Sequence, residues 1–175
     1  MKKNIYALLS IIALVLLQSC TEPVPPVEEP TAKLMTIDEI KNTHGFTWYQ
    51  KGYDKYSYDS SLIKELKSKL MNTDKSFLIF VNPSCACVGT QEYFPAIVKI
   101  LQNAGVNENK FKVYTTRTPE EKNPYNNILK INYLPAFFVM QNEVPLKSVL
   151  DSIVIYKETK PQITIEESLL KCLNQ

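Results

Sequence analysis

The sequence predicts an α/β fold, a three-layer sandwich whose mixed central sheet carries helices on both faces. Three observations point there. Phe77-Leu78-Ile79-Phe80-Val81 and Ala136-Phe137-Phe138-Val139-Met140 are continuous apolar runs. They are too short for buried helices and suit strands covered on both sides. Between such runs lie stretches whose apolar residues recur at helical spacing, and this alternation is the signature of helices packed on a sheet. The length left after residues 1–34 is about one domain's worth, enough for a single sizeable core.

In chain order, Thr36-Ile37-Asp38-Glu39 reads as a capping box, with Thr first and Glu three residues later. A short helix follows, and Gly45 is placed to stop it. Phe46-Thr47-Trp48-Tyr49-Gln50 has the aromatic and β-branched content of a strand, and Tyr53, Tyr56 and Tyr58 then fall in a polar, aromatic loop. Asp59 or Ser60 can cap a second helix whose inward positions are Leu62, Ile63, Leu66 and Leu70. After the strand at 77–81, closed by Asn82-Pro83, a longer helix presents Phe94, Ile97, Val98 and Leu101 on one face. Gly105 stops it, and Pro95 either kinks it or lies in its first turn. Phe111 to Thr115 is another strand. Residues 119–130 read as polar and partly helical. The strand at 136–140 follows Pro135, and residues 143–149 continue as its antiparallel partner. Thr164-Ile165-Glu166-Glu167 is a second capping box, opening a final helix with Leu169, Leu170 and Leu173 inward.

Bulk composition excludes several roles. There are 20 basic and 18 acidic residues. Lys2 and Lys3 leave with the first nineteen residues, so the remaining chain carries 18 of each sign. A net charge near zero argues against a nucleic-acid partner. His44 is the one histidine; it reads as a helix-end residue, and a histidine-built zinc site is not available. No metal and no cofactor is expected.

The chain opens with Lys2 and Lys3, then an almost entirely apolar stretch from Ile5 to Leu17. A positive start and a short apolar run make a secretory signal; a bilayer-spanning helix needs about 18 or more such residues. The run ends Leu17-Gln18-Ser19-Cys20, which resembles the bacterial lipoprotein box. That resemblance implies that residues 1–19 are removed and that Cys20 is acylated and becomes the first residue. The other reading is a chance cysteine behind an ordinary signal. Several acyl chains hold a protein firmly to a membrane, where one does not. Membrane lipid is thus an expected partner, through Cys20. The expected location is the bacterial cell envelope, facing the periplasm or the surface; Thr21 in place of aspartate favours the outer membrane. Residues 20–34, rich in proline and glutamate, form a semi-rigid tether, and 35–175 form the folded domain.

Of the four cysteines, Cys20 is assigned to the lipid. An exported chain can form disulfides, which makes Cys85 and Cys87 the obvious pair and leaves Cys172 odd. Cys85-Ala86-Cys87 lies where a buried strand turns into a helix, the end at which open α/β sheets build their sites. A helix start offers free N–H groups and a positive dipole end, both of which favour thiolate, the nucleophile of disulfide exchange.

Three pieces here resemble the thioredoxin superfamily over residues 60–150. Ser76 to Cys85 looks like the strand that delivers that family's first active-site cysteine. Pro95 is similar in placement to its helix-kinking proline. Ile131-Asn132-Tyr133-Leu134-Pro135-Ala136-Phe137-Phe138-Val139 looks like its cis-proline segment and following strand. The resemblance implies a cis Pro135 packed beside Cys85, with the backbone of Leu134 offered to a substrate chain by strand-like pairing.

Three departures accompany it. One residue, Ala86, separates the cysteines where the family usually has two; Ser84 stands where a tryptophan would precede Cys85; and Ile79 occupies the place of a proton-moving carboxylate. They argue against thioredoxin-like reduction. Residues two apart on an α-helix point about 200° apart, so a Cys85–Cys87 disulfide must sit in a tight turn before the helix, which then starts nearer Gly89-Thr90. Such a small ring is expected to be strained and therefore oxidising. The expected activity is thiol–disulfide isomerisation or oxidation on exported proteins, with protein thiols and disulfides as substrates. The alternative is a tethered binding or assembly module without turnover. Cys172 reads either as buried and inert or as a resolving thiol. Tyr93, Phe94, Tyr133 and the tyrosines at 53, 56 and 58 either line a peptide groove or fill the core.

Overall fold

The computed structural model describes residues 31–71, 73–157 and 162–174. Residues 1–30, with the expected signal, Cys20 and most of the tether, lie outside the described residues. Among the described residues no helix is long and apolar enough to cross a membrane.

Five strands form one mixed sheet in the order β1-β3-β2-β4-β5: β1 Lys33–Met35, β2 Lys75–Val81, β3 Phe111–Thr115, β4 Ala136–Gln141 and β5 Val144–Ser148. β2 runs parallel to β3 on one side and antiparallel to β4 on the other. The edge strands β1 and β5 pair antiparallel with β3 and β4. Six α-helices pack against one face of it: α1 Ile37–Asn42, α2 Tyr49–Lys55, α3 Ser60–Leu70, α4 Val88–Asn103, α5 Val149–Lys157 and α6 Ile165–Leu173. The α/β sandwich with a mixed central sheet is the architecture the sequence predicts.

Side chains alternate across a strand, and here the alternation feeds two cores. Phe77, Ile79 and Val81 of β2 join Val113, Phe137 and Val139 in the larger one, to which all six helices contribute. Leu78, Phe80, Tyr114, Phe138 and Met140 point the other way, into a smaller core closed by Tyr125, Leu129 and Ile131. Phe80 stacks on Tyr114 with ring centroids 5.4 Å apart, and Tyr125 meets Tyr114 edge-on. Burial, and the neighbouring Tyr125, push the Tyr114 hydroxyl up to about 12. The layer over this second face is a run of turns and not the partly helical segment expected at 119–130. Asn123 makes those turns: its Oδ1 accepts from the Tyr125 N–H at 2.9 Å, an Asx turn that competes with helix.

Both capping boxes form, at Thr36/Glu39 and Thr164/Glu167. Asp59 rather than Ser60 caps α3, accepting from the N–H groups of Ser61 and Leu62. Gly105 ends the long helix at φ +80, a conformation that favours glycine. Pro95 lies inside α4, well past its first turn.

Two more expectations are corrected, and two elements are new. The strand expected at 46–50 is instead a 3-10 turn over His44–Phe46, with His44 at its start, leading into α2. The loop expected at Tyr53 is helical, because Tyr49 and Tyr53 four residues apart lie on one helix face and their rings meet at 6.0 Å. β1 and α5 were not expected; β1 takes in Lys33 and Leu34, two residues before the expected start of the domain.

Candidate functional site

The site is a corner between β2 and α4. Val81 ends the strand, and its carbonyl accepts the Thr116 N–H at 3.0 Å. Pro83 has no N–H and cannot continue the ladder. Asn82 then makes three bonds that fold the chain over: its Oδ1 accepts the Ser84 N–H at 2.9 Å, its carbonyl accepts the Cys85 N–H at 3.3 Å, and its Nδ2 donates to the Arg117 carbonyl at 2.8 Å. From the opposite side Trp48 Nε1 donates to the Pro83 carbonyl at 3.3 Å. A Cβ on Gly45 would lie 3.0 Å from Pro83 Cβ. The turn that carries the cysteines is therefore braced by the loop after β3 and by the segment entering α2.

Cys85 and Cys87 are joined as a disulfide with their Cα atoms 5.2 Å apart, inside the range such bonds require. The tight turn before the helix is as expected, and the helix starts at Val88 with Cys87 as its N-cap. The Cys87 carbonyl accepts the Gln91 N–H at 3.2 Å, the first bond of the helix. Cys85 is half-buried, while Ala86 and Cys87 are exposed, so an incoming thiolate can reach the pair. Each sulfur has a donor. The Cys87 N–H lies 3.2 Å from Cys85 Sγ. The Thr90 hydroxyl lies 3.0 Å from Cys87 Sγ, and it supplies the hydrogen because a disulfide sulfur carries none. Thr90 is fully buried. No acidic residue sits in the first turn of α4, so nothing there offsets the positive end of the helix dipole.

Leu134-Pro135 is a cis peptide bond. Ala136 stands opposite Phe80 in the β2–β4 register, so Pro135 comes level with Val81 at the same end of the sheet as the cysteines. Pro135 is buried and Leu134 half-buried. Neighbouring side chains hold this segment to α5: Asn132 Nδ2 donates to Asp151 Oδ2 at 3.4 Å. Burial and the neighbouring Asp151 carboxylate push the Tyr133 hydroxyl well up.

The remaining candidates separate. Cys172 on α6 is buried in the larger core. Burial pushes its thiol up, and its sulfur lies 3.6 Å from Ser152 Oγ, the environment of an inert thiol. Phe94 is fully buried core. Tyr53 and Tyr58 donate to Gln102 and Asn103 of α4 at 2.9 and 3.0 Å. Tyr56 and Tyr93 do line a groove of about 580 Å³, together with Trp48, Gly52, Gln91 and Ile163. Tyr56 donates to the buried Glu166 carboxylate at 2.8 Å.

Sequence reasoning missed Asn82, Trp48 and Thr90. Asn82 reads as a strand terminator until Arg117 is known to lie beside it. Trp48 reads from sequence as a strand residue. For Thr90 a signal exists: Cys87 and Thr90 have the N-cap to N3 spacing of a capping pair. Compared with protein-family models, with curated proteins and with solved structures, the chain matches none.

Proposed function

We propose that the protein is a thiol–disulfide oxidoreductase of the thioredoxin-like superfamily, tethered by an acylated Cys20 to the bacterial cell envelope and acting on exported proteins. The observation that carries this reading is a reachable Cys85–Cys87 disulfide at the strand-to-helix corner, with a hydrogen-bond donor on each sulfur. Sheet order, the cysteine position after the central strand and the proline before β4 support the superfamily assignment. Residues 1–19 and Cys20 support the anchor through their resemblance to a lipoprotein signal.

In the forward reaction a substrate thiolate attacks one sulfur of the pair. A substrate–enzyme disulfide forms and the other cysteine leaves as thiolate. A second substrate thiolate then attacks the substrate sulfur of that bond, closing the substrate disulfide and releasing the enzyme as a dithiol. Isomerisation runs the second step backwards: a thiolate of the dithiol enzyme attacks a wrong substrate disulfide, forming the mixed disulfide and releasing a substrate thiolate, which then attacks a different substrate sulfur. The one-residue spacing favours these directions over deep reduction, since a small strained ring is the better oxidant. Leu134 and Pro135 are the proposed contact for the substrate backbone.

The test is reactivation of a scrambled, disulfide-containing protein. The wild-type chain should raise the reactivation rate, and Cys85→Ser or Cys87→Ser should abolish the gain. A second reading, a tethered module without turnover, is favoured by the fully buried Ile79 where a proton-moving carboxylate would stand. No acceleration by the wild-type protein would select it.

A further inference from the structure

We propose that Thr90 is a positioning residue that makes Cys87 the stabilised, departing thiolate, so that substrate is held on Cys85. This rests on the exchange reading above and assigns the two sulfurs their separate roles.

The first four N–H groups of a helix have no partner within it, and the N-cap side chain is the group best placed to accept from N2 or N3. Cys87 is the N-cap of the 16-residue α4, and in the disulfide its side chain makes no such bond. Its sulfur instead receives the hydroxyl of Thr90, the N3 residue, at 3.0 Å. That hydroxyl is fully buried, so water does not compete for it. When the disulfide opens, Cys87 carries a full negative charge beside this hydroxyl, beside the N–H groups of Gly89 and Thr90, which the first turn of a helix leaves without an intrahelical partner, and at the positive end of the helix. Cys85 lies outside the helix, and its sulfur is met by the Cys87 N–H at 3.2 Å. Hydrogen bonds to an ionised group are about twice as strong as neutral ones, and Cys87 has more donors to gain. Cys87 is therefore the lower-pKa thiol, and the thiol of lower pKa leaves faster.

The incoming thiolate forms a bond to Cys85 Sγ, the Cys85–Cys87 bond breaks, and its electron pair stays on Cys87 as thiolate. Oxidation and reduction exchange between substrate sulfur and Cys87, and no further reactant is needed.

The experiment uses the full chain in detergent, fully reduced, and pulsed with iodoacetamide from pH 4 to 9. Fragment masses read the alkylation of Cys85 and Cys87 separately. In the wild type the Cys87 midpoint should lie below that of Cys85. Thr90→Val keeps the shape and removes the hydroxyl; it should raise the Cys87 midpoint by about one unit, which is about tenfold slower alkylation below it. Thr90→Ser should restore it, and the Cys85 curve should stay put in both. When the oxidised wild-type chain is mixed with a thiol peptide and quenched in acid, the peptide should be found disulfide-bonded to Cys85 and the free thiol on Cys87; a peptide found on Cys87 overturns the inference. A lower midpoint for Cys85 in the wild type, which needs no variant to fold, overturns the inference and leaves the exchange reading standing. So does an unchanged Cys87 curve in folded Thr90→Val. Two thiols that react slowly at every pH overturn both.

Discussion

Replacing Gly52 by alanine tests how the cysteine-bearing helix is seated. Pro95 inside α4 has no N–H, so the Gln91 carbonyl one turn earlier loses its helical donor. α2 packs on that spot through Gly52. A Cβ there would lie 2.6 Å from the Gln91 carbonyl oxygen and 2.8 Å from Pro95 Cγ. Ordinary contact begins at 3.4 Å, so the two backbones must part by about 0.8 Å. Alanine gains about 1 kcal/mol of helix propensity over glycine, while overpacking against a backbone costs about 1–3 kcal/mol. Parting the helices also strips contacts along their length. The net expectation is a loss of about 1–2 kcal/mol, a fall in Tm of about 4–8 °C for a domain of this size. Gly89→Ala is the control, because a Cβ there meets nothing within 4 Å; its Tm should stay level or rise. Thermal unfolding by circular dichroism reads both. A Gly52→Ala protein as stable as Gly89→Ala would refute the close α2–α4 seat.

Two tyrosines that look alike in sequence should behave in opposite ways. The Tyr49 hydroxyl is buried with no hydrogen-bond partner among the described residues; Tyr49→Phe should stabilise by about 1 kcal/mol in urea titration, since an unpaired buried polar group is penalised. Tyr56→Phe leaves the buried Glu166 without the hydroxyl at 2.8 Å and should destabilise by about 2 kcal/mol. For pH, Tyr114 is raised to about 12 from an ordinary 10. The unfolded chain therefore loses that proton first, and stability present below pH 10 should fall as pH rises towards 12. Asp59 and Glu39 are lowered by the N–H and hydroxyl groups they cap. Their contribution is present above the ordinary carboxylate range and is lost as pH falls below it. Urea midpoints from pH 3 to 11 should trace both edges, and a midpoint that stays level from pH 9 to 11 would contradict the alkaline one.

Legibility from sequence followed the strength of local signals. β2 and β4 announce themselves as apolar runs, and the helices after Thr36, Asp59 and Thr164 carry caps. The segment 46–50 misled because aromatic residues favour strands in general. Here Phe46, Trp48 and Tyr49 are gathered around Phe94, a tertiary cluster that local propensity does not see. β1 is three residues long, too short for a pattern. α5 begins Val149-Leu150-Asp151-Ser152-Ile153, and its β-branched content gives no clear helical period. At the site, the cysteine pair was legible from two letters and a strand end. The Asn82–Arg117 and Trp48–Pro83 bonds each span 35 residues, and only the folded topology brings those partners together.

The central claim is that Cys85 and Cys87 exchange reversibly with protein thiols in the oxidising range. Equilibrating the chain with glutathione buffers and counting free thiols by mass measures that directly. A two-electron transition above about −230 mV is expected, where isomerases and oxidases lie. A transition below about −300 mV, where structural disulfides resist reduction, would contradict it.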